Sequence, residues 1–196
     1  MRPHHIPYVL EDRTGVMAMS DFDDIYDRLF LRVTPHPHLS NANNNVWAIY
    51  NMERRSSRHS DTRHLDRHPS VILEFGTGPG GGLGTVHFVR PPAASLSIPM
   101  ARYLRKTALF GGSLYRKFTG SDGQEYRWLY KSIEGHEWTC LTDDNSLVAY
   151  YSLRLPSVPA YNVSGNTLTI TEAFAHLSID LIASLTIMRY IAEHNL

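Results

Sequence analysis

The sequence predicts a mainly β fold, an antiparallel β-barrel of roughly 9–12 short strands enclosing one hydrophobic C-terminal helix. Three observations point there. The longest apolar run lies at the end of the chain, TEAFAHLSIDLIASLTIMRYIAEH over residues 171–194. Upstream, short runs of β-branched and aromatic residues recur between clusters of Gly, Pro, Asn and Asp. Two of these runs flank Gly120-Ser121-Asp122-Gly123, a hairpin signal because glycine accepts positive φ without steric cost.

The terminal run predicts a helix with apolar residues on nearly every side, including Phe174, Leu177, Leu181, Leu185 and Met188 as core positions. A surface helix keeps one polar face, whereas a helix apolar all round is enclosed. A membrane span is the rival reading, but Asp180 and Arg189 interrupt the run, and a charge is expensive at the centre of a bilayer. His176, Asp180 and Ser184 are spaced four apart and share one stripe. That stripe is expected to face the open end of the barrel or polar strand residues. Thr171 is the candidate N-cap.

Taken in order, residues 1–24 have no clear period and predict an irregular N-terminal arm ahead of one barrel domain over 25–196. Strands are expected at 25–33, 46–52, 71–75 and 85–89, the last two joined by the glycine-rich GTGPGGGLG. Residues 98–109 fit either a short helix or a strand with a turn. Further strands are expected at 114–119, 124–131, 137–141, 147–155 and 167–170. No internal repeat interrupts this pattern.

Composition narrows the function classes. Hydrophobic residues make up 42% and charged residues 19%, an ordinary globular balance. The formal net charge is zero, so no global field steers the chain to nucleic acid, and no nucleic-acid partner is expected. Cys140 is the single cysteine, which excludes an internal disulfide and suits a reducing compartment. The first residues lack a signal-peptide pattern, and a cytoplasmic location is expected.

Candidate chemistry is sparse. The GTGPGGGLG stretch lacks the Lys of a phosphate loop and precedes a strand, which favours a plain hairpin connection. His64 and His68 have helical i, i+4 spacing, yet Pro69, the neighbouring arginines and the missing further ligands argue against zinc; no metal or cofactor is expected. Cys140 sits in an apolar strand and reads as a structural thiol, not a nucleophile. No catalytic constellation stands out.

The best local binding signal is ERRSSRHSDTRHLDRHP over residues 53–69. Its arginines, Arg54, Arg55, Arg58, Arg63 and Arg67, are candidates for binding an anionic lipid headgroup. The alternative is a solvated surface loop. Arg116, Lys117 and Arg127 near the Asp122-Gly123 turn are candidates for a second basic face.

The stretches RKFTGSDGQEYRWLY, VAYYSL and NTLTI ahead of the apolar helix, with VWAIYNME and VILEFG earlier, resemble an uncharacterised family of fungal proteins, a domain of unknown function. Phe118, Asp122, Gly123, Tyr126 and Trp128 form the most specific part of the resemblance. In shape that family is similar to the tubby C-terminal, LURP-one and phospholipid-scramblase group, which implies a β-barrel around a C-terminal helix and a link to phospholipid. The expectation is a non-enzymatic protein that binds anionic phospholipid or phosphoinositide peripherally at a membrane surface. A protein-interaction module without lipid binding, working through residues 76–84 or an exposed barrel edge, is the alternative; an enzyme of unknown type is the third.

Overall fold

The computed structural model describes residues 6–40, 45–52, 68–76, 82–89, 96–107 and 114–196. In chain order the strands are β1 (Tyr8–Asp12), β2 (Ser20–Asp24), β3 (Phe30–Pro35), β4 (Asn45–Asn51), β5 (Val71–Phe75), β6 (Gly84–Phe88) and β7 (Leu96–Pro99). After the one-turn helix α1 (Met100–Tyr103) come β8 (Arg105–Lys106), β9 (Arg116–Thr119), β10 (Glu125–Tyr130), β11 (Trp138–Thr142), β12 (Leu147–Ser152) and β13 (Asn166–Ile170). A 3-10 turn, Glu172–Leu177, leads into α2 (Ser178–His194).

All thirteen strands belong to one antiparallel sheet, in the order β7-β6-β5-β4-β3-β2-β1-β13-β12-β11-β10-β9-β8. Every pairing except β1 with β13 joins strands consecutive in the chain, so two meanders meet at one long-range ladder from Tyr8↔Ile170 to Asp12↔Asn166. Among the described residues no ladder joins β7 to β8, so hydrogen bonding does not close the sheet. Only residues 100–104 separate these two edges along the chain.

Alternate strand positions face a single core, as the period of two requires: Trp47 and Ile49, Leu73 and Phe75, Tyr126 and Trp128, Trp138 and Cys140 are all buried. The same cluster contains α2. From Leu181 to Met188 every helix residue is buried, which leaves no polar face and matches enclosure. Leu177, Leu181, Leu185 and Met188 are fully buried, while Phe174 is half-buried, 6.1 Å from the Tyr126 ring in a T-shaped contact. By length and composition the segment Glu172–His194 is apolar enough to cross a membrane. Here its neighbours are sheet side chains: Tyr190 stacks on Phe75 at 3.9 Å and meets Trp47 edge-on at 5.8 Å.

Antiparallel pairing gives the fold two ends. At the upper end, where α2 begins, lie the β2–β3, β9–β10 and β11–β12 turns, the last residues of β4 and the start of β5. At the lower end, where α2 finishes, lie the β1–β2, β10–β11 and β12–β13 connections.

Three expectations need correction. The stretch 1–24, read as an irregular arm, contributes β1 and β2 near the middle of the sheet. Its aspartates hid the strands because they are buried with partners: the Asp24 carboxylate accepts the Val9 amide at 3.1 Å and the Arg28 guanidinium at 2.7 Å. Residues 25–29 form the following turn, so β3 starts at Phe30 and not at Ile25. Thr171 does not cap the helix; its hydroxyl donates to the Leu147 carbonyl at 3.1 Å, tying the chain to β12 before the 3-10 turn starts.

Candidate functional site

The polar stripe that runs from the 3-10 turn into α2 is met residue for residue by the β9–β10 hairpin. Asp122 lies 3.4 Å from the His176 ring, the Ser121 hydroxyl donates to Asp180 at 2.8 Å, and the Trp128 indole N–H donates to the Ser184 hydroxyl at 2.9 Å. The hairpin holds its own shape first. Asp122 accepts the Gln124 amide at 3.0 Å and the Tyr126 hydroxyl at 2.6 Å, while Gly123 takes φ +81°. Burial pushes the Tyr126 phenol well up, and the Asp122 carboxylate adds to that. Asp122, Gly123, Tyr126 and Trp128, the four residues of the DG-x-x-Y-x-W pattern, therefore form an anchor between hairpin and helix, a structural role.

Beside this anchor, between the two free edges of the sheet, opens a cleft of about 350 Å³. Phe88 from β6 with Leu96 and Ile98 from β7 form its apolar side. Thr119 and Gly120 at the end of β9, with Ser121 and Asp180, form the other. Arg102, Tyr103 and Arg105, on and just after α1, complete it. Tyr103 packs edge-on against Phe88 at 5.4 Å, and its hydroxyl is buried with no hydrogen-bond partner among the described residues. Burial pushes this phenol up, and Asp180 and Cys140 add to the effect. Arg105 pairs with Glu125, whereas exposed Arg102 makes no ion pair among the described residues. The cleft therefore sets an apolar wall beside the Arg102 guanidinium.

A second polar centre lies at the lower end. The Asp12 carboxylate, fully buried, accepts the Tyr151 hydroxyl at 2.7 Å, the Gly15 amide at 2.9 Å, the Ser20 hydroxyl and, at 3.5 Å, the Arg189 guanidinium. Arg189 also donates to the Gly15 carbonyl at 2.9 Å and lies 4.8 Å above the Tyr151 ring. Every member is satisfied, so this centre ties β1 and β12 to the helix.

The predicted site residues divide. Arg54, Arg55, Arg58, Arg63 and Arg67 lie outside the described residues, as do His64 and most of the glycine-rich stretch. Among the described residues no His, Cys, Asp and Glu side chains cluster as a metal site would require. The second basic face is not formed: Arg116 is buried and donates to the Leu104 carbonyl at 3.3 Å, and Lys117 pairs with Asp143 at 2.8 Å. Arg127 is taken up by Asn145. Cys140 is fully buried and burial pushes its thiol up, the reverse of what a nucleophile needs, while the nearby His136 stacks on Tyr150 at 3.9 Å.

Sequence reasoning missed the cleft. Arg102 and Tyr103 lie in the stretch 98–109 that fitted either helix or strand, and the walls come from positions 88 and 180 at the extremes. No local pattern could have joined them.

A family model described as Family of unknown function (DUF6593) matches residues 34–190. No curated protein and no solved structure matches the chain.

Proposed function

The chain belongs to this family of unknown function, and on that premise we propose that it is a tubby-like binding protein that meets anionic phospholipid peripherally at a membrane surface, in the cytoplasm. The tubby-like reading is supported by the helix buried on every side and by the short distance along the chain between the two sheet edges. One observation carries the lipid reading. The chain leaves β4 at Met52 and resumes β5 at Val71, both at the upper end, and the five arginines fall in the sequence between these two points. Basic side chains this close together in sequence are what an anionic bilayer attracts, at about 1 kcal/mol for each one near the surface.

The test is co-sedimentation with vesicles containing phosphatidylserine or a phosphoinositide, at low and moderate salt. The wild type is compared with the variant carrying Gln at Arg54, Arg55, Arg58, Arg63 and Arg67. Binding that needs anionic lipid, weakens with salt and disappears in the variant supports the reading. No binding at low salt sinks it.

A protein-interaction role has its own observation. The β12–β13 connection at the lower end exposes Leu153, Leu155, Val158 and Tyr161, the last at 82%, with Arg154 as its only charge. On this reading Leu155→Ser with Tyr161→Ser removes a protein partner and leaves vesicle binding untouched.

A further inference from the structure

We propose that the cleft between the sheet edges holds the single alkyl chain of an anionic amphiphile, with its head beside Arg102; this rests on the reading that the upper end meets phospholipid. The volume of about 350 Å³ lies at the small end of ligand clefts and suits one chain. Phe88, Leu96 and Ile98 give that chain an apolar wall, of which Leu96 is 52% exposed.

Charge fixes the orientation. Asp180 is buried in the wall and engaged by Ser121, so an anion at depth meets a carboxylate at close range. Arg105 is already paired with Glu125. Arg102 is the guanidinium left to receive the head, and it forks naturally onto a phosphate or carboxylate.

Calorimetric titration of the full chain with dodecyl phosphate, dodecanol and dodecyltrimethylammonium, the charged amphiphiles below their micelle concentrations and the alcohol below its solubility limit, tests this. One dodecyl phosphate binds per chain, about tenfold tighter than dodecanol, with the cationic amphiphile weakest. Arg102→Gln abolishes the phosphate preference but keeps dodecanol binding. Ile98→Trp, which fills the cleft at a half-buried position, removes all three while leaving the unfolding midpoint unchanged. Equal affinity for the three heads, or full binding by Ile98→Trp, overturns the proposal. The five-arginine variant keeps the soluble titration and loses only vesicles. Vesicle binding without dodecyl phosphate binding therefore sinks the cleft alone, and the reverse sinks peripheral attachment alone.

Discussion

Trp128 donates its indole N–H to the Ser184 hydroxyl at 2.9 Å, with both side chains at 0% exposure. The bond joins β10 to the middle of α2 and fixes the rotation of the helix, which has no exposed face to fix it otherwise. Ser184→Ala leaves a buried N–H without a partner, at a cost of about 1–3 kcal/mol. Urea unfolding followed by tryptophan fluorescence reads this directly. A midpoint equal to wild type would show that the bond does not set the helix position.

Asp12 is a stronger case because it carries charge. Asp12→Asn leaves the Arg189 guanidinium, 16% exposed, without its carboxylate and disturbs the Tyr151 and Ser20 bonds. The expected loss is about 3 kcal/mol, the range for removing one partner of a buried pair. A loss under about 1 kcal/mol would mean that water replaces the carboxylate readily.

Asp122 gives the anchor an acid limit. Burial raises its carboxyl, but the Tyr126 hydroxyl, the Gln124 amide and His176 together outweigh burial and hold it below the ordinary aspartate value. A carboxyl whose folded pKa is depressed contributes stability that is whole above the unfolded pKa and is lost as pH falls through the folded one. The stability gap between wild type and Asp122→Asn is therefore widest near neutrality and narrows below about pH 4. A gap that stays constant from pH 7 to pH 3 contradicts this assignment.

Two glycines separate strain from collision. Gly123 has φ +81° and nothing within 4 Å of a built Cβ, so Gly123→Ala costs only the left-handed backbone term of about 1–2 kcal/mol. Gly84 has φ +104°, and its Cβ would stand 2.0 Å from the Glu74 carbonyl oxygen across the β5–β6 pair. Gly84→Ala must move backbone and therefore loses more in thermal unfolding. Equal losses would remove the collision argument.

Much of this architecture was legible without coordinates. The strands at 46–52, 71–75, 85–89 and 124–131 and the enclosed helix followed from period, β-branched content and turn chemistry, each of which acts over a few residues. The His176, Asp180 and Ser184 stripe was visible as well, though not its partners. What tertiary structure alone decided is which polar side chains are buried and satisfied. Asp12 meets Tyr151 across 139 residues of chain, and Trp128 meets Ser184 across 56. It also decided that, among the described residues, no ladder joins β7 to β8, and that a cleft lies between Phe88 and Asp180. The physical reason is range: periodicity tells each segment which face to bury, while the partner of a buried carboxylate and the width of a seam depend on segments that meet only after the chain has folded.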